Sequence, residues 1–136
     1  MEEPHRLKRV FWMGSSRKDL KSFPDDVKRA IGFALGQAQL GGKALSAKPL
    51  SGFGNAGVLE IVENYFSDTY RMVYTLTFGD FVYVLHAFQK KSKQGSKTPK
   101  TDIALIRARL KNAQEDYQYR KVENGNQEGK KGSSYT

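Results

Sequence analysis

Apolar and polar positions alternate most regularly between Tyr70 and Gln89, where they predict a β-hairpin. Two runs, YRMVYTLTF and FVYVLHAFQ, flank Gly79-Asp80, a pair suited to the positive φ of a two-residue turn. That turn sets Phe78 opposite Phe81, Val73 opposite His86, Met72 opposite Ala87 and Arg71 opposite Phe88. Successive side chains of a strand point to opposite faces. Tyr70, Met72, Tyr74, Leu76, Leu85 and Ala87 are therefore expected on a core face. Arg71, Val73, Thr75, His86 and Phe88, with Lys90 one step further, are expected on the other.

The rest of the chain supplies elements to hold this hairpin. Leu7 to Met13 reads as a first strand, and Ser15 and Ser16 as caps of a short helix over Arg17–Lys21. Phe23-Pro24-Asp25-Asp26 starts a second helix, with Pro at its first position and carboxylates at the positive end of the dipole. Val27, Ile31, Leu35 and Ala38 give that helix one buried stripe, and Gly41-Gly42 ends it. Lys43 to Gly57 reads as loop.

Val58 to Tyr65 predicts another strand, with Leu59 and Ile61 on one face and Glu60, Val62 and Asn64 on the other. A two-residue turn at Ser67-Asp68 would set Asn64 opposite Arg71 and Glu60 opposite Thr75, placing Glu60 on the Arg71 face. Gln89 to Lys97 is a basic loop. Thr98-Pro99 then opens a last helix, with Ile103, Ile106, Leu110 and Ala113 on one side.

This order predicts an α+β domain over residues 1–120: an antiparallel β-sheet, helices packed on one face, and a C-terminal helix. The second face is expected to stay open. Residues 121–136, rich in Gly, Asn, Ser and Lys without apolar periodicity, are expected to form a disordered tail.

Composition narrows the chemistry. The 136 residues are 38% hydrophobic and contain no cysteine, which excludes a disulfide framework and thiolate chemistry. The two histidines, His5 and His86, are too few and too far apart to suggest a metal site, and neither metal nor cofactor is expected. No signal peptide or membrane span is evident, so the expected setting is cytoplasmic. The 23 Lys and Arg exceed 14 Asp and Glu, a formal charge of +9 that favours a polyanion, nucleic acid before an anionic membrane.

An aromatic ring beside cations on a sheet face is the arrangement that stacks bases and holds phosphates. Phe88 is the stacking candidate, and Lys90, Lys91, Lys93 and Lys97 are candidate phosphate contacts. RNA cleavage without metal needs a base for the 2′-OH, a cation for the crowded phosphate and an acid for the leaving oxygen. Glu60, Arg71 and His86 are the side-chain types for those roles. Each also has a plain reading: a surface cation on Phe88, a half-buried histidine, a glutamate paired with lysine.

The segments Tyr70-Arg71-x-x-Tyr74, Val84-Leu85-His86-Ala87-Phe88-Gln89-Lys90-Lys91-Ser92 and Thr98-Pro99 resemble the phage-derived, HigB-like branch of the RelE/ParE toxins. Phe23-Pro24 and Ala38-Gln39-x-Gly41 match it too, and the resemblance spans roughly Val10 to Leu110. It implies a RelE-like fold and a type II toxin neutralised by a cognate antitoxin, typically a helix-turn-helix protein. RelE and HigB members cleave mRNA on the ribosome without metal; ParE members inhibit DNA gyrase instead. The resemblance assigns Arg71 to the scissile phosphate, His86 and Phe88 to acid–base or stacking roles, Lys90 and Lys91 to the RNA backbone, and Glu60 to a base or a structural role. Relatives often carry a basic residue where this chain has Val62. The alternatives to a ribonuclease are a gyrase inhibitor of the same fold and a non-catalytic nucleic-acid-binding protein.

Overall fold

The computed structural model describes residues 7–90 and 97–134. The elements in order are β1 (Arg9–Trp12), α1 (Ser16–Lys21), α2 (Asp25–Gln39), β2 (Ala47–Pro49), β3 (Val58–Tyr65), β4 (Asp68–Phe78), β5 (Phe81–Lys90) and α3 (Lys100–Ser134). The strands form one sheet in the order β1-β5-β4-β3-β2. The α+β class is as expected, but the sheet is mixed. β1 runs parallel to β5, with Phe11 beside Tyr83, because α1 and α2 carry the chain across the sheet before it returns. β2 falls in the stretch read as loop. Three residues ending in Pro49 have no readable alternation, and proline is tolerated there because β2 is an edge strand.

The α2 stripe is buried as its spacing predicts. Val27, Ile31, Leu35 and Ala38, with Phe23 and Ala34, pack on Leu59, Ile61, Tyr70, Met72, Tyr74, Val82, Val84 and Ala87. The opposite face is not open. Ile106, Leu110 and Ala113 of α3 lie against Val58, Val73, Phe78, Tyr83 and Leu85, together with Leu50 and Phe53 from the β2–β3 connection. The sheet is thus covered on both sides. The apolar stripe of α3 needs a surface to bury, and the first face is already filled by α2. α3 also runs to Ser134, so residues 121–134, expected as a disordered tail, continue the helix. Propagation adds a hydrogen bond for each residue fixed and needs no apolar stripe.

The β4–β5 hairpin turns at Gly79-Asp80 as expected, Gly79 taking φ 55°, and pairs Phe78 with Phe81, Met72 with Ala87, Val73 with His86 and Arg71 with Phe88. Between those ends the ladder slips twice, at Val73/Tyr74 and at Thr75/Phe78. Tyr74 consequently faces Val84, not Leu85, and Leu85 lies on the α3 side, opposite to its expected face. The β3–β4 turn uses Phe66-Ser67 in place of Ser67-Asp68, so Glu60 faces Val73 and Val62 faces Arg71. That correction moves the register by two residues, and a shift of two leaves every side chain on its expected face.

α3 is fastened along its length by polar contacts. Tyr83 donates to Asp116 at 2.6 Å, Arg120 reaches the same carboxylate oxygen at 2.7 Å, and its guanidinium lies 4.0 Å over the Phe11 ring. Burial disfavours the Asp116 anion, but the hydrogen bonds from Tyr83 and Arg120 and the charge of Arg120 outweigh it and hold the carboxyl below its usual range. On the other face, burial alone pushes the Tyr74 hydroxyl from 10.0 up to about 12. The neutral phenol is thus the form the fold favours. Its contribution is complete below the unfolded value of 10.0 and is lost as pH rises towards about 12, because the unfolded chain ionises first. Tyr74 Oη is buried without a hydrogen-bond partner among the described residues. Tyr74→Phe should therefore leave stability at neutral pH unchanged or raised, and should flatten its alkaline loss, as read from urea midpoints across pH 8 to 12.

Candidate functional site

Three neighbouring strands deliver Glu60, Arg71 and His86 to one face of the sheet, as alternation predicts. What the sequence does not predict is that this face lies beneath the start of α3. Arg71 is 2% exposed and His86 6%, so neither is presented outward as expected. Burial follows from the α3 stripe: docking Ile106 and Leu110 on the sheet brings the preceding turn down over the polar end of the same face.

The buried charge of Arg71 is matched locally. Its Nη1 lies 3.3 Å from Glu60 Oε2, and the Thr98 hydroxyl donates to that same oxygen at 2.7 Å while accepting from Arg71 at 3.3 Å. The Thr98 side chain closes a three-membered ring with the ion pair, so the entry to α3 is tied to β3 and β4.

His86 is held from α3. Its Nε2 lies 2.7 Å from Asp102 Oδ1, its Nδ1 lies 3.3 Å from Arg109 Nη1, and its ring stacks on Phe88 with centroids 4.7 Å apart and planes 17° apart. The same Arg109 nitrogen donates to the Leu85 carbonyl at 3.0 Å, and Nη2 reaches Ser15 Oγ at 3.3 Å. A slip in the ladder makes this possible. His86 pairs with Val73 and Val84 with Tyr74, which leaves Leu85 between them as an extra residue.

Asp102 and Arg109 were missed as site residues. Both lie on the last helix, where charged residues are ordinarily solvated. The available signal was their separation of seven, which places an acid and a base on the helix stripe that also carries Ile106 and Ala113.

The candidate nucleic-acid contacts are only partly visible. Phe88 is half-buried against His86, Lys90 Nζ donates to the Lys97 carbonyl at 3.1 Å, and Lys97 is exposed. Lys91 and Lys93 lie outside the described residues, as does His5. Val62, opposite Arg71, is 36% exposed. Among the described residues no three His, Cys, Asp or Glu side chains group as metal ligands, and no helix is long and apolar enough to cross a membrane.

As chemistry, the face holds a carboxylate on a guanidinium, an imidazole on a second carboxylate, and a stacked aromatic ring. A carboxylate fixing an imidazole's orientation is a recurrent arrangement for proton transfer.

Comparison with known proteins adds a family and a structural likeness. The family model described as "Phage derived protein Gp49-like (DUF891)" matches residues 18–111. No curated protein matches. A toxin–antitoxin complex from Mycobacterium tuberculosis, RelBE2, is similar at 23% identity over 62% of this chain and 99% of that one, with a TM-score of 0.43.

Proposed function

This chain belongs to the phage-derived Gp49-like family, a family of RelE toxin type, and on that premise we propose that it is the toxin of a type II toxin–antitoxin system, acting as an mRNA endoribonuclease. The observation that carries the reading is the convergence of Glu60, Arg71 and His86 from three strands onto one face, where β5 runs into a basic segment. A surface built only for binding has no need of a carboxylate and an imidazole on either side of a buried guanidinium. In this reading Glu60 takes the 2′-OH proton, Arg71 neutralises the phosphate in the transition state and His86 protonates the leaving oxygen. Phe88 stacks a base, and Lys90, Lys91, Lys93 and Lys97 hold the backbone. The ribosome is the site of action, the cytoplasm the setting, and a helix-turn-helix antitoxin the neutralising partner.

Glu60→Gln is the informative variant, since glutamine keeps acceptors for Arg71 and Thr98 but takes up no proton. Induced expression of the native chain should arrest growth and leave new mRNA 5′ ends in primer extension. Glu60→Gln should lower cleavage by roughly 10² to 10⁴-fold. Growth arrest with DNA breaks and intact mRNA would instead establish the gyrase-inhibiting reading, in which the buried Arg71 is a structural partner of Glu60.

A further inference from the structure

His86 meets Asp102 and Arg109 through different nitrogens, and the chemistry of those partners fixes where its proton sits. A guanidinium has donors and no acceptor, so the nitrogen facing Arg109, Nδ1, must accept. The ring proton is then on Nε2, where Asp102 Oδ1 receives it at 2.7 Å. Among the described residues the sheet side offers no competing partner: β4 presents Val73 opposite the ring, and β5 presents the Phe88 face.

Arg109 is placed for this by the bend after β1. Gly14 takes φ +54°, and a Cβ there would stand 2.6 Å from the Arg109 guanidinium. A residue with a side chain would thus be strained in its backbone and would also fill the space Arg109 occupies. The acceptors of Arg109 are a carbonyl, an imidazole nitrogen and a hydroxyl, none of them an anion. An RNA phosphate would therefore be a stronger partner for this guanidinium than any of the three.

We infer that Arg109 and Asp102 are positioning residues that hold His86 as its Nε2–H tautomer, and that Nδ1, freed once a substrate phosphate draws Arg109 away, takes up a proton from solvent beside the Asp102 carboxylate and then gives it to the leaving oxygen. The proton-transfer half of this inference rests on the ribonuclease reading; the tautomer does not. In the resting protein both ring nitrogens are engaged, so His86 is silent until the anion arrives. The substrate thereby uncovers its own acid–base group.

Two-bond ¹H–¹⁵N correlation spectra of the ¹⁵N-histidine-labelled full chain test the tautomer directly, with His5→Gln used to assign His86. The native chain should show the Nε2–H pattern. Arg109→Ala and Gly14→Ala, changes on separate elements, should each shift the spectrum towards mixed tautomers, and Arg109→Lys, which restores a donor, should recover part of the native pattern. A native Nδ1–H pattern, or a spectrum unmoved in both Arg109→Ala and Gly14→Ala folded samples, would overturn the inference. Cleavage is scored separately. Arg109→Ala should lose cleavage through kcat more than through KM, while an Nε2–H spectrum in a chain that cuts no RNA would count against the ribonuclease reading and leave the tautomer assignment standing.

Discussion

Arg71→Ala should lose about 3–5 kcal/mol of folding stability, because it leaves the Glu60 carboxylate buried without its counter-charge. The two side chains are 2% and 13% exposed and 3.3 Å apart, so water replaces the guanidinium only in part. Thr98 still donates one hydrogen bond to Glu60, which offsets part of the loss but not the charge. Urea denaturation reads the effect, and the double variant Arg71→Met with Glu60→Gln should recover much of it, since no buried anion is then left behind. A single variant that unfolds at the native midpoint would show the pair to be solvated. The loss of toxicity expected from Arg71→Ala is therefore not a test of catalysis by itself, and Glu60→Gln, which leaves the buried guanidinium without its counter-charge, is likewise scored as cleavage per folded molecule.

Ile106→Ala is the second large effect, at about 2–5 kcal/mol. Ile106 is fully buried between α3 and the sheet, in the cluster with Val73, Tyr83 and Leu85. Were that face open to solvent, the same truncation would stay within about 0.5 kcal/mol of the native chain. Calorimetry or urea titration separates the two outcomes easily. The same variant loosens the helix that carries Asp102 and Arg109, so RNA cleavage per folded molecule should fall as well. Unchanged cleavage per folded molecule would mean that α3 only covers the site.

Much of this architecture was legible from local pattern. The α2 stripe, the Gly79-Asp80 turn and the sharing of one face by Glu60, Arg71 and His86 follow from periods of 3.6 and 2, and both strand periods survived an error in turn position. What was not legible depended on competition between distant surfaces. Nothing in the spacing of Ile103, Ile106, Leu110 and Ala113 says which face of the sheet they will cover. That depends on α2 having filled the other, and the burial of Arg71 and His86 depends on it in turn. Leu85 was misassigned for a different reason: strict alternation admits no extra residue. Asp102 and Arg109 carry little such signal, because a charged residue on a helix is ordinarily solvated surface.

The bulge at Leu85 has a meaning for how this strand tolerates gain and loss of residues. With Leu85 excised, Val84 and His86 would become neighbours and would still alternate correctly, since one lies on the α2 side and the other on the α3 side. The ladder on either side would close up without turning a single side chain over. Leu85 is thus an insertion that the pairing scheme does not require. What its removal would take away is the carbonyl that receives Arg109 and a side chain packed beneath α3. A one-residue deletion here would be silent in topology and felt entirely at the contact between β5 and α3.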